Sequence, residues 1–269
     1  MNWREYYLRE VYPCLDLRLA EKYPLVSLIE GDGRKPLGCQ ALVMLVALTG
    51  TGKSTTLDRL RARRADIGAG SIPTRRELAD WIAIPLAQAL AGEPLARARD
   101  RRKRFAHTRR FAQRVPGGMA AAFSWLNIAD SFDGLIVAEG IRGANEIRYA
   151  LEHFPRWKIV ELALNPVTRL RRLSGRVDDF DQAGGGSDLS FLPRALRAEA
   201  EAGLKAGQIS GKALAIMQAE AANYGLEPFA AGQSYANYFQ IDMEERDPDE
   251  AAAALASIME GMEAATCPE

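Results

Sequence analysis

The sequence predicts an α/β protein: a parallel sheet layered between helices, carrying a helical lid and an N-terminal helical extension. Two observations give the class. Residues 41–48 and 134–140 are short, almost continuously apolar runs, as strands covered on both faces are. Helical patterns follow each of them, and strand alternating with helix is the order of a parallel sheet with right-handed crossovers. Composition is a third: the chain has 269 residues, 48% hydrophobic and 26% charged, enough to bury a large core.

The elements follow in order. Residues 3–23 place Tyr7, Leu8, Val11, Leu15 and Leu19 at helical spacing, and Pro24 precedes a strand-like stretch at 25–30 and a turn at Gly31–Gly33. Residues 1–39 thus read as a helical and hairpin extension, 40–262 as the main domain and 263–269 as a tail. The run 41–48 is the first sheet strand; 54–65 is a helix and 66–71 a short extended piece. Thr74 and Glu77 make a capping-box pattern that opens a helix reaching Ala91, with a kink expected at Pro85. An arginine-dense helix at 97–114 and a small apolar one at 118–129 complete an insertion over 66–132. The second strand, 134–140, ends in Glu139 and leads to a helix at 144–153. The third, 158–164, stops at Asn165-Pro166, an N-cap and first-turn pair. A lid is expected at 169–190, interrupted by the glycines at 184–186. Helices at 193–206 and 210–223, a strand at 238–242 and a last helix capped by Asp247 and Glu250 close the domain; no internal repeat is present.

Basic and acidic residues number 35 each, so the surface as a whole has no general attraction for nucleic acid. Cys14, Cys39 and Cys267 are widely spaced and form no C-x-x-C pair, which argues against a disulfide framework or a zinc site. No apolar run is long enough to span a bilayer, and the N-terminus has no secretory core, so a cytoplasmic location without a membrane partner is expected.

Chemistry enters at residues 47–54, Ala-Leu-Thr-Gly-Thr-Gly-Lys-Ser. They match the phosphate-loop pattern G-x-x-x-x-G-K-[ST], with Ala47 in the first glycine's place. Gly50 and Gly52 allow backbone conformations that turn N–H groups inward, and a helix beginning at Lys53 points its positive end at the same spot. The pattern assigns Thr49, Gly50, Thr51, Gly52, Lys53, Ser54 and Thr55 to a nucleoside triphosphate. Lys53 would bridge the β- and γ-phosphates and Ser54 Oγ would ligate Mg²⁺, so ATP and Mg²⁺ are the expected cofactors. The alternative, a glycine turn with an incidental lysine, fits poorly between a buried strand and an amphipathic helix.

With this loop, the strand ending in Glu139, the strand–helix segment 159–176 and the closing 240–262, the chain resembles the P-loop nucleoside and nucleotide kinase group of P-loop NTPases. The resemblance lies in motif order more than identity and spans residues 40–262. It implies a three-layer P-loop NTPase fold and transfer of the γ-phosphate to a nucleoside- or nucleotide-like small molecule. Lys53, Glu139, Arg172 and Arg176 would be catalytic, with Glu139 either a general base for an acceptor hydroxyl or a holder of Mg²⁺ through water. A strand-end acid paired with a surface arginine is the plainer reading of the same residue. Arg172 and Arg176, four apart, would share one helix face.

The resemblance places the acceptor between residues 66 and 132, where Arg75, Arg76 and Asp80 are candidates, together with Arg142 after the second strand. An arginine there can hold a carboxylate or phosphate bidentately. Residues 97–114 hold nine Lys or Arg in eighteen positions. A solvated helix face is the default reading, with an acceptor-phosphate site or a nucleic-acid stripe as alternatives. Phe105, Phe111 and Ala112 supply its expected apolar side, and His107 reads as structural. Two rival functions remain at this stage: a kinase acting on nucleic acid or a modified base, and an AAA-like ATPase or switch that yields no phosphorylated product. The oligomeric state leaves no mark in the sequence.

Overall fold

The computed structural model describes residues 1–15, 21–64, 66–67, 72–132, 134–175, 188–229, 235–260 and 262, with Arg101 and Arg102 described by backbone alone. Seven strands are found among them: β1 (Val26–Ser27), β2 (Arg34–Pro36), β3 (Leu42–Val46), β4 (Asn127–Ala129), β5 (Ile136–Glu139), β6 (Trp157–Ala163) and β7 (Tyr238–Asp242). The helices are α1 (Trp3–Tyr6), α2 (Lys53–Arg63), α3 (Arg75–Leu78, a π-helical stretch Ala79–Ala83, then Ile84–Leu90), α4 (Arg101–Arg114), α5 (Gly118–Ser124), α6 (Gly143–His153), α7 (Pro166–Ser174), α8 (Arg194–Lys205), α9 (Gly211–Tyr224) and α10 (Pro248–Met259).

The main sheet is parallel throughout, in the order β5-β3-β6-β7. An isolated parallel bridge from Ile67 to Leu135 extends it beyond β5. Every residue of β3 is buried, which is why its run is apolar without alternation. Alternate side chains go to opposite layers. Leu42, Met44 and Val46 join Ile136, Ala138, Trp157 and Ile159 beneath α3, α5 and α6. Val43, Leu45 and Ala47 join Val160, Leu162 and Ile241 beneath α2 and α10. The architecture is thus a mixed α/β fold with a four-stranded parallel sheet flanked by helices. Helices α7, α8 and α9 share a separate apolar cluster built on Val167, Leu170, Leu173, Ile209 and Met217.

Four local outcomes differ from the sequence reading. The helix expected over 118–129 ends at Ser124, and 127–129 becomes β4, pairing antiparallel with β1 and β2. That pairing weaves residues 26–36 into the body of the protein, where Tyr7, Val11, Leu28 and Leu37 are fully buried. The N-terminal helix is broken: α1 passes into a π turn at Tyr7–Val11 and a 3₁₀ turn at Tyr12–Cys14, where Pro13 removes a donor. Helix α3 is not α-helical up to Pro85: a π-helical stretch, Ala79–Ala83, just before it accommodates the missing N–H and the ring. The arginine-rich helix begins at Arg101 with Asp100 as its cap, not at Arg97. The lid segment 176–187, including Arg176 and the glycine run, lies outside the described residues, as do Cys267 and the tail 263–269.

The Thr74–Glu77 capping box forms as predicted, and Glu77 does more than cap. It also takes an ion pair from Lys22 and a 2.6 Å hydrogen bond from the Tyr23 hydroxyl, tying the N-terminal segment to α3. Burial pushes its pKa up, but the bonds from Lys22, Tyr23 and Thr74 outweigh that and hold it at about 2. A carboxylate depressed in the fold stabilises above its unfolded value of 4.5 and loses that contribution as pH falls toward about 2. Glu77→Gln is therefore expected to cost on the order of 1–2 kcal/mol at neutral pH, discounted for solvent screening. Urea denaturation across that acid window should show the wild type losing its advantage over the variant.

Candidate functional site

Helices and strands meet at the carboxyl ends of β3 and β6. From β3 the chain crosses to β5 on one side, and from β6 it crosses to β7 on the other, so the crevice between β3 and β6 is the switch point where open α/β sheets place their sites. The loop leaving β3 fills it. Gly50 and Gly52 have φ of 91° and 99°, in the left-handed region open mainly to glycine. Thr51 anchors the loop on itself, its hydroxyl donating to the Leu48 carbonyl at 2.9 Å. Helix α2 then starts at Lys53 with no side-chain cap, leaving first-turn N–H groups without an intrahelical acceptor. Ser54 and Thr55 are exposed on that turn.

Lys53 makes an ion pair with Glu139, the last residue of β5. The register puts Glu139 opposite Leu45, near the end of β3, so the pair spans neighbouring strand ends. Burial lowers the Lys53 pKa; Glu139 works against that, and the positive charges of Arg142 and Arg75 add to the lowering.

Behind the loop lies a buried cluster. Arg169 on α7 and Glu220 on α9 are each 1% exposed and form an ion pair. Arg169 donates from Nε and Nη2 to the Thr49 carbonyl at 3.1 and 3.0 Å, and Glu220 Oε1 accepts from the Thr49 N–H at 3.1 Å and from the Thr49 hydroxyl. Arg142 Nη1 reaches the same carboxylate at 3.4 Å, while Nη1 of Arg169 is buried without a partner. Arg172 is exposed, donating to the Met243 carbonyl at 3.4 Å; its Nη1 would lie 4.0 Å from a Cβ added at Gly52, so this arginine borders the loop. Arg171 turns away to Glu199, at 2.9 Å.

A cleft of about 310 Å³ opens beside this cluster, lined in part by Arg75, Arg109, Arg142, Asn145, Asn223 and Tyr224. Arg75 is held firmly: it grips Glu146 bidentately at 2.6 and 3.1 Å and donates to the Gly140 carbonyl. Burial opposes the Arg75 charge, but Glu146 and Tyr224 overcome it and raise the pKa. Two guanidinium groups lie over the Tyr224 ring, Arg75 at 5.2 Å and Arg142 at 5.8 Å from its centroid. Asp80 and Arg76 lie apart from these groups: Asp80 is paired with Arg104, and Arg76 is exposed with its carbonyl accepting from Arg104 at 3.2 Å.

Three arginines of α4 are engaged within the fold, Arg104 with Asp80, Arg109 with Asn223 and Arg110 with Glu93. Its inner side is Phe111 and His107 rather than Ala112, which is exposed and lines the cleft. His107 lies 3.8 Å from Glu93, a carboxylate outside helical spacing. Trp81 is core, 3% exposed. Among the described residues no cluster of His, Cys, Asp and Glu is disposed to hold a metal ion alone, and no helix is long and apolar enough to cross a membrane.

Sequence reasoning passed over Glu220 and Glu146. For Glu220 a signal existed: Ala213, Met217 and Glu220 fall on one helical face, so an acid sits in the buried stripe of α9. For Glu146 there was none, since its role depends on Arg75 arriving from 71 residues earlier.

No family model matches the chain, and no curated protein matches it significantly. Among solved structures, an unliganded sugar kinase from a Janibacter species matches over 81% of this chain and 92% of its own, at 14% identity and a TM-score of 0.36. A likeness that loose carries no argument about this chain.

Gly50→Ala would force a side chain into the left-handed region and bring its Cβ to 3.1 Å from Leu173 Cγ. The expected loss is about 1–2 kcal/mol, read by urea unfolding. The Lys53 charge should titrate below the ordinary lysine value of about 10.4, and Arg142→Gln, which removes a neighbouring cation, should move that titration upward, as followed by NMR of the Lys53 side chain.

Proposed function

We propose that this protein binds Mg-ATP at residues 49–55 through a P-loop and transfers the γ-phosphate to a small-molecule acceptor held in the cleft beside Arg75, Arg142 and Tyr224. One observation carries the reading: Lys53 stands at the uncapped start of α2, behind two left-handed glycines, and faces the strand-end carboxylate Glu139. That combination supplies a cation, open amide donors and an acid at one sheet edge, which is what positioning and electrostatic stabilisation of a migrating phosphoryl group require.

The donor set suits the group. The uncapped first-turn N–H groups of α2 are donors without an intrahelical acceptor, as an anion requires. Ser54 and Glu139 are the oxygen ligands this chain offers to Mg²⁺, which takes few protein ligands and keeps several waters. When bound, Mg-ATP supplies the phosphoryl group and a metal counter-charge. Lys53 would then hold the terminal phosphates, Arg172 would border them, and Glu139 would accept the acceptor's hydroxyl proton or hold a metal-bound water. Arg176 keeps the role the kinase resemblance gives it, as a second lid cation.

A small acceptor is favoured over nucleic acid because Arg104, Arg109 and Arg110 already have partners within the fold. The Arg75, Arg109 and Arg142 wall suits an anionic or sugar-bearing molecule that a cleft of about 310 Å³ admits.

Lys53→Ala is expected to abolish phosphoryl transfer. Glu139→Gln should lower turnover by about two decades or more while Mg-ATP still binds. The deciding measurement is calorimetry of the purified protein with Mg-ATP, followed by product analysis against a panel of small hydroxyl and phosphate acceptors. Absence of both heat and thermal stabilisation would end this reading.

A further inference from the structure

Glu220 is a buried charge that the sequence reading never used. Four donors converge on its carboxylate: the Thr49 N–H, the Thr49 hydroxyl, Arg169 Nη2 and Arg142 Nη1. Burying such a pair costs several kcal/mol before any attraction is counted, so an apolar contact would stabilise the fold at least as well. What the pair gives instead is direction.

Thr49 is held at both ends of its backbone, its N–H by Glu220 and its carbonyl by Arg169. A trans peptide is planar, with its C=O and the following N–H pointing opposite ways. Two bonds from Arg169 to the Thr49 carbonyl therefore aim the Gly50 N–H away from Arg169. Glu220 keeps that arrangement by neutralising Arg169, and it occupies the Thr49 amide itself. The Thr51 N–H is engaged too, by the Leu48 carbonyl at 3.4 Å, so the loop is fixed on both sides of Gly50.

Helix α9 continues from Glu220 into the cleft wall, with Ala221, Asn223 and Tyr224 lining the cleft. Loop and cleft thus share one rigid element, and Arg142 touches both, reaching Glu220 with its guanidinium and stacking beside Tyr224.

We infer that Glu220 is a positioning residue: with Arg169 it fixes the Thr49 peptide, sets the direction of the Gly50 amide and couples the loop to the cleft wall. The consequence for nucleotide affinity rests on the proposed phosphotransfer reading; the consequence for the loop does not.

The test separates the two. Hydrogen exchange of the loop amides is measured on the full chain without nucleotide, for wild type, Glu220→Gln and Thr49→Val. Exchange at Thr49 and Thr51, whose N–H groups are bonded to Glu220 and to the Leu48 carbonyl, should rise about tenfold in Glu220→Gln, with β3 and β6 amides unchanged. Thr49→Val, a change at a half-buried loop position, deletes only the hydroxyl link and should give a smaller rise at the same amides, which serves if Glu220→Gln fails to fold. Mg-ATP Kd should weaken about tenfold in Glu220→Gln, with KM for ATP moving more than kcat. Loop exchange equal to wild type in the folded variants, or a rise spread evenly over the sheet, overturns the inference, because a merely structural pair loosens the whole body. A wild type that binds no Mg-ATP sinks the nucleotide reading alone and leaves the exchange arm to decide the role of Glu220.

Discussion

A crowd of like charges at one sheet edge is the constraint on which the rest of this structure turns. Lys53, Arg75, Arg142 and Arg169 are brought together by four different elements, and three carboxylates, Glu139, Glu146 and Glu220, are distributed among them. The parallel register makes the crowd unavoidable, because β3, β5 and β6 end side by side and each hands its following segment to the same edge. Desolvation lowers the pKa of Lys53 and of Arg169, and Arg142 adds repulsion to both. Cations outnumber the carboxylates that hold them, and one guanidinium nitrogen of Arg169 is left with nothing to donate to. On the proposed reading, an anion with several oxygens bound at this end of the sheet would relieve that repulsion.

The carboxylates divide the work by depth. Glu220 and Glu146 lie buried and act on cations that cannot leave: Glu220 fixes Arg169 and the loop peptide, and Glu146 fixes Arg75 while accepting the Arg142 N–H at 2.7 Å and the Met119 N–H at 3.2 Å. Glu139 is different. It is about a quarter exposed, at 28%, and its partner is a single flexible lysine, so its bond is the one an incoming ligand can exchange. The rigid pairs build the walls, and the exchangeable pair stands where chemistry would occur.

The sequence announced the frame of this arrangement and little of its wiring. The loop at 47–54 was legible because glycines needed for positive φ, a lysine at a helix start and an unbroken apolar strand are local features, read within one short window. Strand β6 and the Asn165-Pro166 stop were legible for the same reason. What failed to show was anything that depends on distant segments meeting. Strand β4 reads as helix in isolation, since Gly118–Ala129 is small and apolar, and only pairing with Val26–Ser27 and Arg34–Pro36 makes 127–129 extended. Glu220 can be read as an acid in an apolar stripe, but its role shows only once Arg169, 51 residues away, is found against it. Asp80 suggested a substrate contact until Arg104 was found beside it, and the basic helix, read by default as a solvated face, holds three arginines engaged within the fold. Pattern reading finds groups that act alone; it misses those whose meaning lies in a partner.

The Lys53–Glu139 pair bears on how the proposed chemistry would be timed. A carboxylate oxygen held by an ammonium is not free to meet an acceptor hydroxyl or a metal-bound water. With Lys53 drawn toward phosphate oxygens, Glu139 would lose that partner and be left free for another, next to a cleft that Arg75 and Arg142 line. Nothing else within the pair needs to move, since β5 and β3 are locked in register and Lys53 is a long side chain on a fixed helix start. On this reading, donor binding would free the carboxylate that the acceptor or the metal's water needs. An acid held by a buried arginine, as Glu220 is, could not be released in this way, and its place behind the loop agrees with a role in holding the site rather than in the reaction.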